Sequence, residues 1–193
     1  MASDAQGTLT IDSVTLEVNP YEIAGTYDFG GMMGGPSSYN NNVLTNSLAA
    51  ACPEGYTSRR TFGSPNVDYD LYYCYRPHVA GRPADFDFGG MFGQSASGGY
   101  ANSVTGQKSC PAGYFVQQVR GAPNLDYDLH YCWKPHTPGQ KAIVDFGGIF
   151  SDGNPTYENP LTNALSCSTG FQTTQIYGSP NVDYDFYMCT KLF

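Results

Sequence analysis

Three copies of one short sequence run along the chain: GSPNVDYDLYYC at Gly63–Cys74, GAPNLDYDLHYC at Gly121–Cys132 and GSPNVDYDFYMC at Gly178–Cys189. Each copy alternates apolar or aromatic residues with polar ones, and alternate residues of a β-strand point to opposite faces. In the first copy, Leu71 and Tyr73 fall on the face that we expect to be buried, whereas Asp70 and Tyr72 fall on the other face. The sequence therefore predicts one strand, written three times.

The repeat is longer than this strand. It starts with DFGG at Asp28, Asp87 and Asp145, and then continues with N-x-x-T at Asn42, Asn102 and Asn159 and with C-x-x-G-Y/F at Cys52, Cys110 and Cys167. Glycine, proline and asparagine signals divide each repeat into about four short strands. We predict a single domain over 1–193 with internal repeats at about 28–78, 87–136 and 145–193, and an additional closing strand at 8–18.

The composition favours an all-β fold. The chain has 16 tyrosines and 11 phenylalanines, which favour strands, and 23 glycines and 13 prolines, which favour turns. Three similar units of about four strands each fit a β-prism with pseudo-threefold symmetry. They fit a propeller less well, because propellers typically need roughly 4–8 blades.

The net charge of −8 restricts the partners. Nucleic acid is excluded, because its binding needs a basic surface that displaces counterions from phosphate. Attraction to an anionic membrane by charge alone is also disfavoured. No apolar run approaches the ~20 residues that span a bilayer. Cations, mineral surfaces and neutral sugars remain compatible with this charge.

The six cysteines follow the repeat, and the two cysteines of each repeat are separated by the same number of residues. This regularity predicts three disulfides within the repeats: Cys52–Cys74, Cys110–Cys132 and Cys167–Cys189. Zinc would need closer ligand pairs such as C-x-x-C, which the sequence lacks. Paired cysteines are typical of an oxidising compartment, so we predict a secreted, extracellular protein.

The third repeat, DFGGIFSDGNPTYENPLTNALSCSTGF from Asp145, resembles the C-terminal repeats of perforin-like (MACPF) proteins. Those repeats carry Phe-Gly-Gly, Asn-Pro-x-Thr, Ser-Cys-Pro-x-Gly-Phe/Tyr and a closing cysteine. The resemblance recurs three times and covers Asp28 to Cys189. It implies a β-prism-like module that recognises a surface. The sequence contains no pore-forming domain, so recognition is the only function that the resemblance implies.

At the level of fold, a β-prism is similar to the jacalin-related lectins, in which a glycine-rich loop lies beside a sugar site closed by an aspartate-bearing loop. GGMMGG at Gly30–Gly35 resembles the glycine-rich loop. The G-x-x-x-D sugar motif of that family is not clearly present, because the stretch from Gly63 to Asp68 is one residue too long.

Candidate sugar-binding residues follow from the repeat. They are the glycine pairs Gly30 and Gly31, Gly89 and Gly90, and Gly147 and Gly148, the tyrosines Tyr39, Tyr100 and Tyr157, and the aspartates Asp68, Asp70, Asp126, Asp128, Asp183 and Asp185. Carboxylates accept hydrogen bonds from sugar hydroxyls, and aromatic rings stack on sugar faces. Structural alternatives are aspartates that fix turns and glycine pairs that form a bulge. A third alternative for the aspartates is calcium binding.

We therefore predict a carbohydrate-binding protein with up to three similar sites for glycans or polysaccharide. One alternative is an acidic extracellular matrix or biomineralisation protein that binds calcium or mineral together with polysaccharide. Another is a membrane-recognition module, related to perforin tails, that binds a membrane glycolipid. An enzyme is not expected, because His78, His130 and His136 show no triad order and an active site is usually unique. No cofactor or metal-ligand set is assigned.

Overall fold

The computed structural model describes residues 27–35, 41–45, 50–62, 70–79, 81–95, 98–120, 128–153, 155–179 and 182–193. All regular secondary structure in these residues is β-strand, in ten strands, so the all-β prediction is confirmed. None of the described segments forms a helix long and apolar enough to cross a membrane. The predicted closing strand at 8–18 lies outside the described residues.

The strands follow the repeats. The first repeat contains β1 Tyr27–Gly35, β2 Thr57–Phe62 and β3 Asp70–Pro77; the second contains β4 Phe86–Ser95, β5 Gly98–Tyr100, β6 Phe115–Arg120 and β7 Asp128–Pro135; the third contains β8 Val144–Gly153, β9 Gln172–Ser179 and β10 Val182–Leu192. Four strands per repeat are thus described only in the second repeat. In the third, a single antiparallel bridge between Ser151 and Tyr157 takes the place of the short β5 pairing.

Each repeat folds as an antiparallel sheet whose central strand is the repeated aspartate strand, β3, β7 or β10. The first and third repeats join into a six-stranded sheet of order β2-β3-β1-β8-β10-β9, through a pairing of Tyr27 with Phe146. The second repeat forms a separate four-stranded sheet of order β5-β4-β7-β6. On the central strand Leu71 and Tyr73 are buried, as their predicted face requires.

The three repeats meet through the phenylalanines of their DFGG motifs. The rings of Phe29, Phe88 and Phe146 are all buried. Their centroids are 4.6 Å apart for Phe29 and Phe88, 5.1 Å for Phe88 and Phe146, and 5.2 Å for Phe29 and Phe146. Tyrosines reach across the same core, since the Tyr73 hydroxyl donates to the Ile149 carbonyl at 3.5 Å. The aromatic residues that favour strands therefore also form the contact that holds the repeats together.

The three predicted disulfides are confirmed. Each joins cysteines 22 residues apart: Cys52–Cys74, Cys110–Cys132 and Cys167–Cys189. The second cysteine of each pair is fully buried on the central strand of its sheet. Each bond ties that strand to the chain just before the neighbouring edge strand. Three disulfides of this kind are compatible with an extracellular protein.

Candidate functional site

The glycine pairs lie inside strands rather than in loops. In the first repeat, Gly30 and Gly31 together oppose the single residue Cys74, which is the pattern of a β-bulge. Gly31 has a φ of 90°, which disfavours any other residue. The second and third repeats show the same bulge opposite Cys132 and Cys189. All six glycines are buried. Their environment is therefore that of the structural alternative, in which the glycine pairs form a bulge. Contact of these glycines with a sugar stays a prediction.

The asparagine of N-x-x-T fills each bulge. In the second repeat, Asn102 Nδ2 donates to the Gly89 carbonyl at 2.9 Å, and Asn102 Oδ1 accepts from the Val104 N–H at 3.0 Å. A methyl group on Gly90 would overlap the Asn102 side chain, and one on Gly89 would overlap the Tyr114 ring. The first and third repeats repeat this arrangement around Asn42 and Asn159. The repeated motifs thus converge on one structural unit.

The second aspartate of each D-Y-D sequence lies in a polar group of side chains that we call an outer cluster. These aspartates are Asp70, Asp128 and Asp185. The partners come from the neighbouring edge strand and are Arg60 for Asp70, Gln118 for Asp128 at 3.0 Å, and Gln175 for Asp185 at 2.9 Å. In each case the partner lies ten residues before the aspartate. Arg60, Gln118 and Gln175 are not among the candidate residues predicted from the sequence. Their constant spacing from the aspartates is the sequence signal that could have identified them.

An aromatic or imidazole ring completes each outer cluster. Tyr187 donates its hydroxyl to Asp185 at 3.3 Å and stacks on Phe150, with centroids 5.0 Å apart. His130 takes the same place in the second repeat and stacks on Phe92, with ring centroids 4.9 Å apart and an angle of 8° between the ring planes. Burial, followed by the nearby Asp185, raises the pKa of Tyr187, so its phenol is protonated at neutral pH.

The predicted tyrosines lie where one repeat meets the next. Tyr157 of the third repeat stacks under the Arg60 guanidinium at 5.4 Å, and Arg60 pairs with Asp70 of the first repeat. Tyr100 of the second repeat donates to the Gly178 carbonyl of the third at 2.9 Å. The structure therefore brings Tyr157 and Asp70 into one junction. Tyr39, Asp68 and Asp126 lie outside the described residues, and for Asp183 only the strand position is described.

The outer cluster of the second repeat opens on a surface cavity of about 510 Å³, which we call the repeat-two cleft. Phe92, Tyr114 and Val116 supply apolar walls, and Gln118 and His130 supply polar groups. The Nδ1 atom of His130 is buried and has no hydrogen-bond partner among the described residues. Burial lowers the pKa of His130, so a neutral imidazole faces the cleft at pH 7.

The first aspartates of the repeats, Asp28, Asp87 and Asp145, line a second and smaller cavity of about 70 Å³, which we call the axial cavity. Asp28 pairs with His78 Nδ1 at 2.8 Å and with Arg76 Nε at 2.8 Å. Asp87 pairs with His136 Nδ1 at 2.6 Å. Both histidines come shortly after the closing cysteine of their repeat. The sequence does not reveal that they pair with these aspartates, because each histidine is about fifty residues from its aspartate.

Asp145 breaks this pattern. Phe193 stands where the other two repeats have histidine, and within the described part of the chain no imidazole forms an ion pair with Asp145. Its Oδ1 atom is buried without a hydrogen bond to any residue that the structure describes, and Asp145 is 7% exposed. Burial raises the pKa of Asp145 from 3.8 to about 6, while Lys191 and His78 oppose the rise and Asp28 adds to it. Asp145 is thus a carboxylate in an environment that disfavours its charge.

Replacing Asp145 with asparagine should stabilise the protein at neutral pH. Because the folded pKa lies above the unfolded value, the folded state binds the proton more tightly, and stability due to that proton is lost as pH rises through about 6. Asp145→Asn should therefore unfold like wild type at pH 4 and become more stable by up to about 3 kcal/mol at pH 7.5. Denaturant titrations at several pH values measure this, with Asp152→Asn as the exposed control. A difference independent of pH would contradict it.

Among the described residues, no three histidine, cysteine, aspartate or glutamate side chains come together as a metal site would require. Asp28, Asp128 and Asp185 instead pair with an arginine, a glutamine and a tyrosine of the protein, respectively. No family model matches this chain.

Proposed function

We propose that this chain is a secreted, non-enzymatic carbohydrate-binding protein that recognises neutral glycans through its outer clusters. The observation that carries the proposal is the repeat-two cleft, in which an aromatic wall lies beside polar side chains. Its volume of about 510 Å³ is within the range of roughly 300–1,000 Å³ that ligand pockets have. Such a pairing of ring and polar groups suits a sugar, which has an apolar face and a hydroxyl rim.

The repetition of the outer clusters supports up to three similar sites. All three combine a carboxylate, a planar donor group and a ring on the same strand positions. The clusters differ in their donor, which is a guanidinium at Arg60 and an amide at Gln118 and Gln175. Weak single sites of this kind would gain strength on a multivalent polysaccharide through effective concentration.

We further propose that the three repeats form a β-prism like that of jacalin-related lectins. The contact among Phe29, Phe88 and Phe146 supports it, because equivalent residues meet at a common centre. The same proposal accommodates the resemblance to the C-terminal repeats of perforin-like proteins, where such a module would recognise a surface. The three disulfides support extracellular localisation.

Glycan binding should depend on the repeat-two cleft. Gln118→Ala removes a hydrogen-bond donor that lines the cleft, and we expect about 5- to 150-fold weaker binding at this site because an unpaired hydroxyl costs about 1–3 kcal/mol. A glycan array identifies the saccharide, and calorimetry then gives affinity and stoichiometry. Gln140→Ala, an exposed glutamine outside the cleft, is the matched control and should bind like wild type.

His130→Tyr provides a second control, because the other repeats carry Tyr72 and Tyr187 at this position. This variant should keep the fold and the stacking on Phe92, whereas His130→Ala removes the ring from the cleft wall and should weaken binding. Binding of no saccharide on the array, or unchanged binding by Gln118→Ala, would refute the proposal. Retention on mineral or calcium that sugars do not inhibit would favour the matrix-protein alternative.

A further inference from the structure

The axial cavity differs in chemistry from the outer clusters. Three carboxylates line it, and no lysine or arginine does so among the residues described. Aromatic side chains form much of the remaining wall: Tyr27, Phe29, Phe86, Phe88, Phe146 and Phe193. Carboxylates together with aromatic faces attract cations, and the aromatic faces favour organic cations in particular.

Two of the three carboxylates already form ion pairs within the protein. Asp28 and Asp87 each accept from a histidine that also lines the cavity, and Asp28 is bound by Arg76 in addition. Two buried oxygens lining the cavity lack a hydrogen-bond donor among the described residues, Asp87 Oδ2 and Asp145 Oδ1. Asp87 Oδ2 has the Lys134 ammonium at 3.5 Å, whereas no ion pair is described for Asp145. Lys191 lies opposite Asp145 on the paired strand but makes no hydrogen bond to Asp145 Oδ1. A buried acceptor without a donor is costly, so a ligand that brings a donor would be stabilising.

We propose that the axial cavity binds a small primary ammonium group, which donates a hydrogen bond to Asp145 and neutralises it. The cavity volume of about 70 Å³ allows an ammonium head on a slender chain. A hard metal ion fits poorly, because the described residues provide no three-ligand set and phenylalanine rings supply no oxygen. A lysine ammonium of the protein, that of Lys141, already lies 5.5 Å from the ring of Phe193.

The raised pKa of Asp145 supports this assignment. A bound ammonium would add a positive charge beside Asp145 and should favour its ionised carboxylate. Binding should therefore weaken as pH falls through about 6, because protonated Asp145 no longer offers a negative charge. The charged groups that act on the pKa of Asp145 are Lys191, His78 and Asp28.

An NMR titration of the full chain with methylammonium chloride at pH 7.5 tests the proposal. We expect saturable shifts of amides beside the cavity, such as those of Ala142 and Val144, with a millimolar dissociation constant. Sodium chloride and tetramethylammonium chloride at equal ionic strength are the comparison salts. Sodium offers no hydrogen-bond donor, and tetramethylammonium is bulkier and lacks an N–H.

The variant Asp145→Asn should bind methylammonium at least tenfold more weakly, while remaining folded and more stable at this pH. Asp152→Asn, on the same strand but exposed, should bind like wild type. Nα-acetyl-lysine methylamide distinguishes the source of the amine: saturable binding assigns a lysine side chain, and binding of methylammonium alone assigns a free amine. Linear shifts only, equal saturation by sodium, or unchanged affinity of Asp145→Asn would overturn the proposal. None of these outcomes bears on glycan binding at the repeat-two cleft.

Discussion

Phe88→Ala is expected to destabilise the protein by about 3–5 kcal/mol, the usual cost of truncating a buried phenylalanine. Phe88 is 3% exposed and touches both Phe29 and Phe146, so its loss leaves a void between all three repeats. Neighbouring strands cannot collapse into this void without disturbing the bulges beside them. For a chain of this length, we expect the unfolding temperature to fall by about 10 °C.

Phe115→Ala is the matched control, since Phe115 is 59% exposed on an edge strand. Its ring touches Trp133 alone among the described aromatic contacts, with centroids 5.3 Å apart. We expect a change of less than about 1 kcal/mol. Calorimetry of both variants under non-reducing conditions measures the difference. Equal destabilisation by the two substitutions would show that the central phenylalanine contact does not hold the repeats together.

Gly90→Ala is expected to destabilise the protein by about 4 kcal/mol. Gly90 has a φ of 89°, which costs a non-glycine residue about 1–2 kcal/mol. The added methyl group would also overlap Asn102 and break its hydrogen bonds to the Gly89 and Ser109 carbonyls, each contributing about 1 kcal/mol. Denaturant unfolding with the disulfides intact gives the value.

A double-mutant cycle separates these two causes. In Gly90→Ala/Asn102→Ala the overlap is removed, so the double variant should lose about 1–3 kcal/mol less than the sum of the single variants. Gly113→Ala is the control for backbone strain alone, because Gly113 has a φ of 81° and open space around its missing side chain. Strict additivity of the two substitutions would show that Asn102 does not fill the bulge as the structure indicates.

The strand content and the disulfides could be predicted from the sequence because they are written locally. Alternation along the repeated strand assigned Leu71 and Tyr73 to the buried face, and the structure buries both. The equal spacing of the cysteines identified the pairs, since residues at equivalent positions of a repeat adopt equivalent places. Short edge pairings such as that of Ser151 with Tyr157 are harder to predict from the sequence, because a single residue pair leaves no alternating pattern.

The candidate site depended more strongly on tertiary structure. The sequence identified Asp70, Asp128 and Asp185 as recurring polar residues, but their partners on adjacent strands follow from the pairing register, as for Gln118 and Asp128. The glycine pairs recur equally in the sequence, yet only folding shows that an asparagine side chain fills each bulge.

For Asp145, too, the sequence and the tertiary structure determine different things. The sequence already contains Phe193 where the other repeats have His78 and His136, but this difference has no consequence along an extended chain. Only the packing of three repeats around one cavity removes Asp145 from water and leaves its Oδ1 without a donor.

Local patterns determine which strands form, because alternation and turns act over a few residues. Burial of a charge and the pairing of distant side chains are decided by tertiary contacts, because they require segments far apart in the chain to meet.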